Sequence, residues 1–235
     1  MAERFRYFLE KVKDLAGGGK VGYSQPTYMC EFDTAWRNRA LTYYLEEAGV
    51  FPVDVTPEAA LDFYIQCCSI EVNTVSAAGI AATLANGGTS PLTGKHCLSS
   101  HTLRAVLTLM FTCGMYDYSG EWCVHVGLPG KSGVAGLIYV VIPHVMGIAI
   151  FSPPLDSHGN SVKGVEFCKA LVTRFPYGVF DKLTVRGPDA PPPMPMPVPA
   201  PSEMTRIRVP SGPVTGSGGS PPGSPVTSPR KGVVL

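Results

Sequence analysis

The sequence lacks the features that mark membrane-spanning, secreted and nucleic-acid-binding proteins. No apolar run in its 235 residues reaches the roughly 20 residues that a membrane-spanning helix needs. The first residues show neither a secretory nor a transit-peptide pattern. Charged residues make up only 16% of the chain, the formal net charge is +1, and no basic stripe is present. We therefore expect neither nucleic acid nor a membrane as a partner.

The cysteines lack the spacing of a metal site or a disulfide framework. They are seven in number, and no two of them stand in a Cys-x-x-Cys pattern. This usage predicts buried thiols in a reducing compartment, with no metal and no cofactor. The cysteines are Cys30, Cys67, Cys68, Cys97, Cys113, Cys123 and Cys168.

Composition divides the chain into two parts. Residues 1–183 read as one globular domain, whereas residues 184–235 are rich in Pro, Gly and Ser. More than half of the 23 prolines lie beyond Gly187. Such a segment buries too little apolar surface to offset the entropy of ordering it, so we predict a disordered tail with polyproline II tendency.

Local patterns predict helices first and strands later. Helical spacing and capping residues indicate helices near residues 5–15, 34–48, 57–68, 76–84, 100–110 and 161–175, with a loop at Ser24-Gln25-Pro26. Three β-rich runs, Trp122–Val126, Val134–Ile142 and Val145–Phe151, are joined by short connections that favour antiparallel strands. We expect an α/β fold of the α+β kind, with helices packed on an antiparallel sheet.

The segment Gly130-Lys131-Ser132-Gly133 carries the most specific chemical signal. It leads into the apolar run Leu137–Ile142, and a Lys-Ser-Gly triplet opening a strand is typical of serine acyl-transferring enzymes with the β-lactamase pattern. A phosphate loop would need glycine where His125 stands and a helix after Ser132. Taken alone, the motif also fits an ordinary glycine-rich hairpin with a solvated lysine.

The nucleophile that accompanies such a motif is a serine followed by lysine one helical turn later. The only Ser-x-x-Lys in the sequence runs from Ser228 to Lys231. Pro229 and the Pro-rich surroundings prevent a rigid, desolvated pair there. We therefore reject this match as a nucleophile.

Several segments, taken together and in one order, resemble the serine-dependent glutaminases of the β-lactamase-like superfamily. They are Cys68–Val72, Ala82–Gly88, Cys113–Asp117, Gly127–Gly136, Phe151–Asp156 and Gly159–Val162. The resemblance implies a partial β-lactamase-like (DD-peptidase-like) fold and hydrolysis of L-glutamine to L-glutamate and ammonia through a glutamyl-enzyme. It also implies a homo-oligomer, dimer or tetramer, in a mitochondrial or cytosolic intracellular compartment.

The resemblance assigns roles to individual residues. Glu31, Asn38 and Tyr64 match residues that hold the amino-acid end of glutamine, for which a carboxylate and hydrogen-bond donors are suited. Tyr116 matches a catalytic proton carrier. Val134 matches a substrate-binding residue whose backbone N–H serves the oxyanion hole. Lys131 and Ser132 would support the site. Taken singly, each of these residues also has an ordinary structural explanation.

The sequence departs from the family pattern at a few points. Ala35 stands where the family usually has glycine, and its side chain would displace Glu31 if the position needed a positive φ. The family's amino-terminal portion, with its Ser-x-x-Lys, is missing from these residues. We therefore expect a glutaminase polypeptide that is inactive alone.

Two alternatives remain at this stage. One is a non-catalytic interaction protein that oligomerises through a remnant glutaminase fold, with the Pro-rich tail docking to SH3- or WW-type domains. The other is a penicillin-recognising relative of the β-lactamases, which shares the Lys-Ser-Gly triplet. The segments around the triplet match glutaminases instead, so this last alternative is disfavoured.

Overall fold

The structure, a computed structural model, describes residues 2–181. The predicted tail at 184–235 lies outside the described residues, so its boundary stays a prediction. The helices are α1 (Ala2–Leu15), α2 (Gln25–Asp33), α3 (Trp36–Glu47), α4 (Pro57–Cys68), α5 (Thr74–Ala85), α6 (Ser100–Cys113), α7 (Ser119–His125) and α8 (Val162–Arg174), with a short 3-10 helix at Tyr116–Tyr118. The strands are β1 (Val21–Tyr23), β2 (Ile70–Val72), β3 (Gly130–Gly133), β4 (Leu137–Ile142) and β5 (Met146–Phe151).

The larger sheet is antiparallel and has the strand order β3-β4-β5. Gly130 lies opposite Val140, and Leu137 lies opposite Phe151. Every residue of β4 is buried, which matches its uninterrupted run of apolar residues. A strand of this kind needs cover on both faces of the sheet.

Helices supply that cover on the two faces. Successive residues of a strand point to opposite faces. Ile138 and Val140 pack with Trp122 of α7 and Cys168 of α8. On the other face, Leu137, Tyr139 and Val141 pack with Ala77 and Ala81 of α5 and with Met110 of α6. The predicted fold class, helices packed on an antiparallel sheet, is confirmed.

A smaller group of elements lies before α5. Strands β1 and β2 pair antiparallel, with Val21 opposite Val72. Helices α2 and α4 share a cluster in which Leu61, Ile65 and Ala35 are buried against Tyr28 and Phe32. Ala35 has a φ of −76°, so its Cβ causes no strain.

Capping residues mark the helix starts as the sequence indicates. Thr56, Ser99 and Ser161 each accept a hydrogen bond from a backbone N–H in the first turn of α4, α6 and α8. These three helices and strand β5 are confirmed as predicted, within a few residues at their ends.

Three local predictions are wrong. Trp122–Val126 is not a strand, because Ser119–His125 forms α7 and the Trp122 indole N–H donates to the Leu128 carbonyl at 2.7 Å in the core. The segment after Ser24 is a helix, not a loop, and Ser24 caps α2. Val134 lies in the turn between β3 and β4 instead of in a strand.

Two further observations concern the whole of the described chain. None of the helices within residues 2–181 is long and apolar enough to cross a membrane. All seven cysteines are free thiols, but only Cys168 is fully buried, and Cys30 and Cys113 are exposed. The expectation that the thiols are buried is therefore wrong for most of them.

Candidate active site

Tyr116 stands at the end of helix α6, in an unusual backbone conformation. Its φ is +55°, in the left-handed region that non-glycine residues seldom adopt. From there its hydroxyl donates a hydrogen bond to the Ser132 carbonyl of β3, at 3.1 Å. The side chain is 38% exposed, so the ring is accessible from solvent.

The end of α6 lies directly against β3, which explains how Tyr116 reaches it. The Ser132 N–H donates to the Gly114 carbonyl at 2.9 Å. A Cβ built on Gly114 would lie 1.8 Å from the Gly130 oxygen, so only glycine permits this approach.

Lys131 joins Tyr116 from the strand. Its ammonium nitrogen lies 5.1 Å from the centre of the Tyr116 ring and donates to the Ser132 carbonyl. Burial lowers the pKa of Lys131 because the charged ammonium is poorly solvated there. The Ser132 side chain is buried, and its hydroxyl has no hydrogen-bond partner among the described residues.

Val134 follows in the turn after β3. The ladder with β4 ends at the Gly133–Leu137 pair, and no backbone carbonyl of residues 2–181 accepts a hydrogen bond from the Val134 N–H. Burial raises the pKa of Tyr116, as does nearby Cys68, whereas a hydrogen bond with the Val134 backbone lowers it. The Val134 amide therefore lies beside the Tyr116 hydroxyl and is not consumed by the sheet.

Helices α2 and α4 bring a second set of polar groups to the same place. Tyr64 is hydrogen-bonded to Cys68 and lies within electrostatic range of Tyr116 and Glu31. Burial, followed by these neighbours, raises the pKa of the Tyr64 hydroxyl. Cys68 itself lies within range of Glu31 and Lys131, and burial raises the pKa of its thiol.

Most of the predicted site residues thus converge. Glu31, Tyr64, Tyr116, Lys131 and Val134 form one cluster, which we call the tyrosine cluster. Asn38 lies on α3 and is half-buried. Within the described part of the chain, no hydrogen bond or ring contact joins the Asn38 side chain to the tyrosine cluster.

Sequence reasoning missed two contributors to this site. Cys68 follows Tyr64 by one helical turn, and that spacing places both side chains on the same face of α4. The spacing was available in the sequence and could have identified Cys68. Gly159 was missed as well, and a Cβ built there would lie 3.7 Å from the Tyr116 ring and 3.8 Å from Val134.

The tyrosine cluster offers a backbone N–H, two tyrosine hydroxyls, an ammonium group and a carboxyl group. A serine hydroxyl paired with a lysine amine does not occur among the hydrogen bonds of residues 2–181. The same part of the chain holds no group of three or more His, Cys, Asp or Glu side chains placed to bind a metal ion. A backbone N–H that the sheet leaves free can stabilise an acyl oxygen, and a tyrosine hydroxyl can carry a proton.

Comparison with known proteins identifies the family. A model of the glutaminase family matches residues 1–180. The chain belongs to the glutaminase family. The mitochondrial liver isoform of glutaminase from Mus musculus is 48% identical over 182 residues. The glutaminase of Nostoc sp. is 44% identical over 158 residues.

Solved structures show the same fold. The structure described as probable glutaminase ybaS superposes with a TM-score of 0.69 at 41% identity, over 75% of this chain and 56% of that one. Mglu in its native form gives a TM-score of 0.70 at 36% identity, over 78% of this chain and 43% of that one.

The chain spans only part of its relatives' length. The matched region is 77% of this chain but 30% of the mouse glutaminase, and 67% of this chain but 47% of the Nostoc glutaminase. Membership of the family is therefore established for residues 1–180, whereas the activity of a whole glutaminase is a separate question.

Proposed function

We propose that residues 1–181 supply the glutamine-binding and acyl-stabilising groups of a glutaminase site, and that this chain alone does not hydrolyse L-glutamine. In the complete reaction a serine hydroxyl attacks the side-chain amide of glutamine. Ammonia leaves, and water hydrolyses the glutamyl-enzyme to L-glutamate.

One observation carries this proposal. Glu31, Tyr64, Tyr116 and Val134 come from α2, α4, the 3-10 helix and the turn after β3, yet they share one electrostatic neighbourhood. Taken separately, each residue has an ordinary structural explanation. Those explanations do not account for the convergence of all four residues, which follow one another along the chain in the same order as in a glutaminase.

We assign a different role to each residue of the tyrosine cluster. The Glu31 carboxylate complements the ammonium group of an amino acid, and the Tyr64 hydroxyl lies within its electrostatic range. The Val134 N–H, which no backbone carbonyl of the described residues occupies, is suited to an acyl oxygen. The Tyr116 hydroxyl beside it is placed to carry a proton to the departing ammonia. Asn38 and Ser132 remain candidates for supporting contacts to the substrate.

The test of inactivity is ammonia release from L-glutamine by the purified 235-residue chain. We expect no release above the buffer blank, because positioning groups without a nucleophile cannot form the acyl intermediate. Adding a separately expressed glutaminase segment that contains Ser-x-x-Lys should restore release, and the Tyr116→Phe chain should restore at least tenfold less.

Two results would contradict this proposal. Ammonia release by the chain alone that is lost in Tyr116→Phe would show that a nucleophile is already present. Failure of restoration together with no detectable glutamine binding would remove the proposed substrate as well. Tyr7→Phe, a change of the same kind at an exposed tyrosine of α1, is the matched control.

We also propose that the chain forms a dimer or tetramer, alone or with a complete glutaminase. Support comes from α3, whose exposed side includes Trp36, Leu41, Tyr43, Tyr44 and Leu45. An apolar surface of this kind is typical of an interface between proteins. Mixed oligomers with a complete glutaminase would favour the interaction-protein alternative, in which the segment 184–235 adds contacts to SH3- or WW-type domains.

An intracellular compartment, mitochondrial or cytosolic, is the matching proposal for location. The mouse relative is described as mitochondrial. Free cysteines, two of them exposed, fit a reducing environment. Fractionation of cells that express the tagged chain tests this, and recovery from the culture medium would contradict it.

A further inference from the structure

The loop that precedes α8 reaches the backbone on which Tyr116 is mounted. Asn160, in the loop formed by residues 156–161, is fully buried. Its side-chain amide donates to the Met115 carbonyl at 3.3 Å, immediately before Tyr116. The neighbouring Gly159 has a φ of +92°, and a Cβ built on it would lie 3.7 Å from the Tyr116 ring and 3.8 Å from Val134.

The 156–161 loop is itself rigidly held. One carboxylate oxygen of Asp156 accepts hydrogen bonds from the N–H groups of His158 and Asn160, both at 2.9 Å. The Asp156 N–H donates to the Asn160 carbonyl at 2.8 Å. At the end of the loop, the Ser161 hydroxyl donates to the Ser152 carbonyl at 2.8 Å. These hydrogen bonds fix the backbone immediately before and after Asn160.

The backbone that Asn160 contacts needs an external restraint. Tyr116 holds a φ of +55°, which an L-residue adopts only when its surroundings impose it. On the other side of this bend, the Ser119 hydroxyl accepts from the Met115 N–H and donates to the Tyr116 carbonyl. The Met115 carbonyl accepts a hydrogen bond from the Tyr118 N–H at 3.2 Å, and the Asn160 amide is its side-chain partner.

We propose that Asn160 is a positioning residue for Tyr116: its buried amide holds the Met115–Tyr116 peptide in the conformation from which the Tyr116 hydroxyl reaches Ser132 and Val134. The inference rests on the proposed function for the chemical use of Tyr116. It goes further by naming the group that holds Tyr116 in place. Asn160 acts through Tyr116 and need not touch the substrate.

The test reads the environment of Tyr116 in the complete 235-residue chain. Tyrosines labelled with carbon-13 at the ring carbon bearing the hydroxyl give one resonance each, and the Tyr116 resonance is the one that Tyr116→Phe removes. Tyr64, Cys68 and Lys131 are the titratable groups that face it. In Asn160→Leu, which keeps the branched shape but has no donor, we expect this resonance to move to the position of a solvent-exposed tyrosine. The titration midpoint should fall toward the ordinary 10.0, because burial is the largest cause of its rise.

A stability-matched control separates positioning from general loosening. Leu84→Ala removes buried volume from the core between α5 and the sheet, in a cluster that includes neither Met115 nor Tyr116. We expect it to lower the melting temperature and leave the Tyr116 resonance unchanged. The proposal is overturned if Asn160→Leu leaves the resonance and the midpoint as they are, or if Leu84→Ala moves them equally.

A second pair of variants covers the case in which Asn160 substitutions do not fold. Asp156→Ala removes the acceptor that holds the Asn160 backbone and should shift the Tyr116 resonance in the same direction. Asp156→Asn keeps that oxygen and should not. Equal effects of the two would contradict the proposal. Titrating L-glutamine into the same samples tests the proposed function separately, because glutamine binding can fail while the Asn160 effect persists.

Discussion

At the scale of single residues, the tyrosine cluster combines several groups whose charged forms are disfavoured by burial. Burial raises the pKa of Tyr64 and Tyr116 and lowers the pKa of Lys131. Each of these shifts favours the neutral form of its group. Glu31 then supplies the acidic group of the cluster, which suits a ligand that carries an ammonium group.

A substitution at Glu31 tests whether its carboxylate binds the ammonium group of the ligand. Glu31→Gln keeps the shape and removes the carboxylate. A hydrogen bond to a charged group contributes about 1.5–3 kcal/mol. We therefore expect L-glutamine to bind the chain roughly 10- to 100-fold more weakly. Chemical-shift titration of the labelled chain measures this affinity.

The control for Glu31 is an acidic residue outside the cluster. Glu121→Gln, on an exposed position of α7, should leave the affinity unchanged. Equal affinities of the Glu31 variant and the unmodified chain would show that Glu31 does not face the ligand.

At the residue scale, the sequence predicted some members of the tyrosine cluster and missed the residues that hold it in place. The resemblance to the glutaminase family placed Glu31, Tyr64 and Tyr116 in one site, and the structure brings them together. Asn160 was out of reach, because its partner is a backbone carbonyl 45 positions away that no side-chain pattern encodes. The positive φ of Tyr116 was equally invisible, because only the folded surroundings impose it.

At the scale of secondary-structure elements, the close approach of α5 to the sheet depends on a glycine. A Cβ built on Gly147 of β5 would lie 2.0 Å from the Ala81 carbonyl carbon and 2.1 Å from the Ala82 nitrogen of α5. Backbone atoms on both sides leave no flexible side chain to yield. The small residues of α5 and this glycine together allow the helix to lie on the strand.

Gly147→Ala should therefore be strongly destabilising. Because α5 must move away from β5, we expect the free energy of unfolding to fall by about 3 kcal/mol. Urea denaturation followed by circular dichroism measures the change. Gly22→Ala in β1 is the matched control, since its Cβ would meet nothing nearer than 3.8 Å. Similar losses for both variants would contradict the packing argument.

Elements were predictable where a cap and a hydrophobic period agree. Thr56 and Ser99 identified the starts of α4 and α6, because a hydroxyl that caps a helix acts locally. The strand predicted at Trp122–Val126 failed, since a short apolar run fits either a strand or a buried helix. The packing of Trp122 against β4 favours the helix. Helix α2 has no buried residue and so offered no hydrophobic period.

At the scale of the whole molecule, residues 2–181 leave one edge of the main sheet and one helix face without cover. Strand β5 pairs only with β4 in this part of the chain. Helix α3 exposes Trp36 by 73% and Tyr44 by 68%. Open edges and apolar faces of this kind promote association between chains. We expect the isolated chain to be poorly soluble because of the same two features.

Substitution on α3 tests whether that face joins chains specifically. In Tyr44→Glu a charge replaces the exposed ring, and burying a charge in an interface is costly unless it is paired. We expect the weight-average mass in sedimentation equilibrium to fall toward the 25.0 kDa of one chain. Val53→Glu is the control, because Val53 is an exposed apolar residue that lies outside α3. If both variants reduce the mass equally, association is non-specific and the open edge of β5 becomes the better explanation. If neither does, the α3 face is not an interface.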